Sequence, residues 1–128
     1  MEDHKLLLHL ITESNRNIRY AAIFDMDGEI LLSRHRPSEK NLLSLDETKK
    51  QLKRAVNAWK SRFDIEKKVG KAMYVVASYE KVKRIIIPLS KEFLLFISMD
   101  NRDGPSKEYM NAADLNKILS ILDWEPPS

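Results

Sequence analysis

The 128-residue chain contains no cysteine. Disulfides, thiolate metal sites and thiol nucleophiles are therefore excluded. Glycine occurs only three times, at Gly28, Gly70 and Gly104. That spacing offers neither a phosphate-cradling loop nor a dinucleotide fingerprint. Histidine is equally scarce. His4 and His9 lie five apart, about 140° round a helix, so they do not converge. His35 stands between Arg34 and Arg36. A zinc-type site needs three or four converging ligands, so no metal and no cofactor is expected. The run Asp100 to Gly104 fails the calcium-loop pattern, because Arg102 takes a ligand position. No serine-centred nucleophile elbow occurs. No stretch of about 18 apolar residues is present. Met1-Glu2-Asp3-His4 does not open a signal peptide, so a soluble, cytoplasmic protein is expected.

What is present is ordinary for a globular chain: 43% hydrophobic and 32% charged residues. The length predicts one domain over 1–128 with a sizeable core. The net charge of +3 hides a split. Between Lys49 and Lys71 nine basic residues face only Asp64 and Glu66, so this segment is strongly cationic and the remainder is net acidic. Lys49, Lys50, Lys53, Arg54 and Lys60 make a basic patch that either attracts an anionic partner or simply solvates a helix face.

Periodicity predicts the elements. Residues 2–15 read as a helix carrying Leu6, Leu7, Leu8, Leu10 and Ile11. Residues 18–25 read as a strand, Asp27-Gly28 as a two-residue type I′ hairpin turn, and Glu29 to Ser33 as the return strand. Arg34 to Leu43 is a polar connection containing Pro37. Ser44 and Glu47 then form a capping box. In the helix that follows, Leu45, Thr48, Leu52, Ala55, Val56, Trp59 and Phe63 fall on a stripe about 100° wide. That helix is expected to fray between Asp64 and Gly70. Strands are predicted over 72–79, 82–88 and 93–99. The gaps between them are too short for parallel crossovers, so they form an antiparallel meander. After a turn-rich loop at 100–105, a last helix carries Ala112, Leu115, Ile118, Leu119 and Leu122. The end at 126–128 frays. The predicted class is α+β, a five-stranded antiparallel sheet with three helices in the order α-β-β-α-β-β-β-α.

Two chemistries are considered on the residues. Phe24 to Gly28 resembles the first motif of the haloacid-dehalogenase phosphatases. That resemblance implies Asp25 as nucleophile and Asp27 as acid/base, with magnesium nearby. Glu29 replaces that family's threonine and would repel a phosphate, and a hairpin replaces its parallel sheet. Tyr74, Tyr79 and the surrounding bases suggest a nucleic-acid face, but no ribonucleoprotein or helix-turn-helix pattern accompanies them. No catalytic residue is therefore assigned.

The whole element order is similar to that of the roadblock/dynein-light-chain domain, a relative of the profilin-like and longin folds. Arg19 to Ser33 resembles that family's first hairpin, and Phe93-Leu94-Leu95-Phe96-Ile97 its fifth strand. The resemblance implies a non-enzymatic module that regulates or scaffolds a small Ras-like GTPase or signalling assembly. It implies a homodimer built on the middle helix and third strand, with Leu52, Val56, Trp59, Phe63, Tyr74 and Val76 as candidate contacts. Whether the helix stripe faces its own sheet or a second copy is open to either answer at this point. The alternative is a small-molecule sensor of the PAS or profilin-like kind, which requires a closed pocket.

Overall fold

The computed structural model describes residues 2–36, 44–100 and 112–123. Most of the Pro37 connection, nearly all of the loop before the last helix and the 126–128 end lie outside the described residues. The elements are α1 (Glu2–Ser14), β1 (Ile18–Asp25), β2 (Ile30–His35), α2 (Leu45–Asp64), α3 (Glu66–Val69), β3 (Val75–Ser78), β4 (Val82–Pro88), β5 (Phe93–Asp100) and α4 (Ala112–Leu122).

One sheet has the strand order β2-β1-β5-β4-β3, and every neighbouring pair is antiparallel. Its central pair, β1 and β5, joins strands distant in sequence, with Ile23 opposite Leu95. Alternation along β1 explains the layering. Ala21 and Ile23 join Ile85, Leu95 and Ile97 in a core that takes Leu8 and Ile11 from α1 and Ile118 from α4. Phe24, Leu94 and Phe96 take Leu52, Val56 and Trp59 from α2 on the opposite face.

The α2 helix starts where its sequence says it should. The Ser44 hydroxyl accepts the Glu47 N–H, and the Glu47 carboxylate accepts the Ser44 N–H, each at 3.1 Å. These bonds hold the Glu47 carboxyl below the usual carboxylate range.

Three details depart from the sequence reading. The expected frayed end of α2 contains a separate single-turn helix, α3, making four helices and not three. The third strand begins at Val75, so Ala72 to Tyr74 run outside it. The hairpin turn is also of another type, since Gly28 alone has positive φ there (+82°) and Asp27 does not. The Gly28 N–H donates to the Asp25 carbonyl, and the Asp25 N–H donates to the Glu29 carbonyl, each at 3.0 Å. Met26, Asp27 and Gly28 thus form a three-residue loop with glycine in the left-handed position, a turn-plus-bulge arrangement. The type I′ expectation fails because the Asp25 carboxylate organises the turn. It accepts the N–H groups of Asp27 at 2.9 Å and Glu29 at 3.0 Å.

The far end of the hairpin is tied down by Arg36. Its guanidinium donates to the carbonyls of Thr12 at 2.5 Å, Asn15 at 3.2 Å and Ile18 at 2.9 Å. Two of these acceptors are at the C-terminal end of α1, where carbonyls have no helical partner.

Candidate interaction surface

The α2 stripe faces its own sheet. Leu52, Val56 and Trp59 are buried against Phe24, Leu94 and Phe96, and Phe63 packs half-buried beside them. The Arg62 guanidinium lies 5.4 Å from the Trp59 ring centre and covers it from the solvent side. These four apolar side chains are used within the chain. Tyr74 and Val76, in contrast, are exposed. Val76 pairs with Ile85 in register and therefore points to the face of α1 and α4, away from α2. The structure thus brings Leu52, Val56, Trp59 and Phe63 together and keeps Tyr74 and Val76 apart from them. Lys49, Lys50, Lys53, Arg54 and Lys60 are all exposed along α2, as a solvated basic face.

A different set of apolar residues is free. Of the eight large hydrophobic side chains exposed among the described residues, six lie between Ile65 and Tyr79. They are Ile65, Val69, Met73, Tyr74, Val76 and Tyr79, with relative exposures from 37% to 72%. Scattered exposed hydrophobics are normal, but a concentration in one short segment marks a contact surface. This segment runs through α3 into β3, whose outer edge has no neighbouring strand among the described residues. An open edge of backbone N–H and C=O groups is itself a template for pairing. Ile65 and Val69 escape the sequence reading because they follow no helical or strand period, whereas the sequence reading puts Met73 in the third strand, which begins only at Val75. The available signal is their apolarity inside the most basic stretch of the chain.

The Asp25 geometry answers the phosphatase alternative. Its carboxylate is committed to two backbone N–H groups, and its strand is an interior strand of a wholly antiparallel sheet. Among the described residues no group of three or more His, Asp or Glu is placed to hold a metal. The His4 ring meets the Phe93 ring edge-on at 5.8 Å, and His9 is exposed. His35 lies against Tyr20, with ring centres 4.4 Å apart. Burial pushes the Tyr20 phenol up from its ordinary value, opposed in part by a hydrogen bond with Ser33.

Two shallow clefts open beside α2. One, of about 190 Å³, lies between the helix and β3, lined by residues including Gln51, Arg54, Val75, Tyr79 and Ile86. The other, of about 100 Å³, lies under the start of α2 against Tyr20, His35, Arg84 and Ser98. Both are below the ~300–1,000 Å³ of ordinary small-molecule sites.

The sequence matches no protein-family model and no curated protein. Comparison of the folded chain gives a definite result. An MglB structure described as having a tetrameric arrangement superposes with a TM-score of 0.70 at 13% identity, over 95% of this chain and 84% of that one. The gliding protein MglB of Thermus thermophilus gives 0.68 at 14% identity, over 94% and 80%. The roadblock/LC7 domain from Streptomyces avermitilis gives 0.63 at 11% identity, over 91% and 89%. The chain has the roadblock/LC7 fold. In the roadblock fold of this chain, α2 is the middle helix that closes one face of the sheet. The third strand is β3, which forms an edge of the sheet. No helix among the described residues is long and apolar enough to cross a membrane.

Proposed function

We propose that this chain is a non-catalytic interaction and regulatory module of the roadblock type, working as a homodimer on a small Ras-like GTPase or signalling assembly. The observation that carries the dimer is the crowding of exposed apolar side chains along α3 and β3, beside an open strand edge. A second copy placed there pairs β3 with β3 and covers Met73, Tyr74 and Val76 by the same twofold operation. One of the similar structures, an MglB, is described as having a tetrameric arrangement, which supports the reading that this chain self-associates. The cationic outer face of α2 offers Lys49, Lys50, Lys53, Arg54 and Lys60 to an acidic partner and favours fast encounter. The regulatory action is the holding of switch segments, since the sequence offers no catalytic motif. This reading places the module in the cytoplasm and treats 1–128 as one domain.

Sedimentation velocity at micromolar protein tests the dimer. The wild type sediments as a dimer, and Val76→Lys or Met73→Asp sediments as a folded monomer. A monomeric wild type removes the homodimer. Titration with a Ras-like GTPase loaded with GTP or with GDP tests the second half. Binding that distinguishes the two nucleotides supports it, and absent or equal binding defeats it. The sensor reading requires a closed pocket that encloses its ligand, and the open clefts of 100 and 190 Å³ among the described residues give it no support.

A further inference from the structure

The strand register shows an abrupt change of chemistry on the α2 face of the sheet. One transverse row reads Val75, Ile86, Phe96, Ala22 and Ser33, and it is mostly apolar and roofed by α2. The next row reads Ala77, Arg84, Ser98, Tyr20 and His35. Four polar side chains therefore stand side by side on the floor of the cleft under the start of α2. Thr48 and Gln51 add a hydroxyl and an amide from the helix, and Arg19 adds a second guanidinium.

The charge of this cleft is one-sided. Among the described residues its lining includes two arginines and a histidine and no carboxylate. Arg19 is ion-paired with Asp100 at 2.9 Å, so part of its charge is neutralised. Arg84 makes no ion pair among the described residues, and its guanidinium is 5.1 Å from the Tyr79 ring centre. The Tyr20 and Phe96 rings form apolar walls, with centres 6.1 Å apart. Such walls reduce screening and strengthen the attraction of an anion to a guanidinium. The first turn of α2 borders the same space through Leu45 and Thr48, and the Glu47 N–H is already taken by the Ser44 cap. Asp46 and Glu47 stand in that first turn, and Glu47 is already bonded to Ser44.

We infer that this cleft binds a compact tetrahedral oxyanion, the phosphate group of free phosphate or of a small phosphorylated metabolite. Arg84, which stands between this cleft and the larger one that Tyr79 lines, supplies the fixed charge, and Ser98, Thr48 and the His35 ring supply neutral or charge-assisted donors. The volume of about 100 Å³ suits one such group, with the rest of any larger molecule lying outside the cleft. This inference does not depend on the dimer or on a GTPase.

The test is an NMR titration of the full chain with inorganic phosphate and, separately, with glycerol 3-phosphate, against sodium chloride at matched ionic strength. Saturable shifts at the amides of Tyr20, Thr48, Arg84 and Ser98 are expected with phosphate and not with chloride. Equal affinity for the two probes assigns free phosphate, and tighter binding of glycerol 3-phosphate assigns a phosphorylated metabolite. Arg84→Met, which keeps an apolar stem, is expected to weaken binding roughly tenfold or more with the unfolding midpoint checked in parallel. Ser98→Asp serves as a second variant, and its carboxylate is expected to abolish binding. Shifts that chloride reproduces, that never saturate, or that survive both substitutions overturn the inference.

Discussion

A β-carbon placed on Gly28 would lie 2.7 Å from Cγ of Lys53. The tip of the first hairpin therefore rests on the outer flank of α2, and the buried glycine is what allows the approach. Backbone conformation adds to this, because φ at Gly28 is +82°.

Gly28→Ala combines both penalties. Left-handed backbone in an L-residue costs roughly 1–2 kcal/mol, and the crowded Lys53 stem must also shift. The expected result is a loss of about 1–3 kcal/mol in urea unfolding, seen as a lower midpoint at unchanged m-value. Gly28→Ala combined with Lys53→Ala should recover the part owed to the contact and leave the part owed to φ. Full recovery in the double variant would show that backbone strain contributes nothing.

The position of that hairpin was legible in the sequence, and its geometry was not. Asp27-Gly28 marks a reversal in any reading, but turn type depends on what the neighbouring carboxylate does. Asp25 accepts two backbone N–H groups and shifts the loop from two residues to three. The capping box at Ser44 and Glu47 was fully legible because it is local, as was the α2 stripe. Helix α3 was not, since four residues carry no period. The surface was half legible. The helix stripe signals burial without saying against what, and the answer depends on Phe24, Leu94 and Phe96, brought beneath it by strands distant in sequence. The polar row under the start of α2 was invisible for the same reason, since Arg84, Ser98, Tyr20 and His35 come from four strands.

Core and surface roles separate cleanly for two of the sequence candidates. Leu52→Ala removes a side chain buried between α2 and the sheet, and its expected cost is about 2–5 kcal/mol. Val76→Ala on the exposed side of β3 should leave the chain's intrinsic stability within about 0.5 kcal/mol. Chemical denaturation of both variants, at a protein concentration low enough to suppress association, gives the comparison. Equal costs would mean that the α2 stripe is not packed as described.

Arg36 links three parts of the chain through one guanidinium. Replacing it with methionine keeps much of the stem and strips three carbonyl partners at once. The loss expected is about 1–3 kcal/mol, because hydrogen bonds to charged groups are the stronger class and the α1 carbonyls lose their cap. Hydrogen exchange should quicken first at the end of α1 and the start of β1. Arg36→Lys should rescue little, since an ammonium lacks the fork that reaches several acceptors together. Uniform acceleration across the whole sheet would contradict a local clamp.

Tyr20 gives the chain a dependence on alkaline pH with a defined sign. Its phenol is raised above its ordinary value, chiefly by burial. Between the unfolded value and the higher folded value, the folded state holds more protons than the unfolded one. Stability is then constant with respect to this group below about 10, and it falls as pH rises through the folded value. Thermal unfolding from neutral pH upward measures the fall, and Tyr20→Phe isolates it from the lysines that titrate in the same range. The wild type should lose stability more steeply than Tyr20→Phe over that window. Parallel curves would mean that the Tyr20 hydroxyl titrates as freely in the folded chain as in the unfolded one.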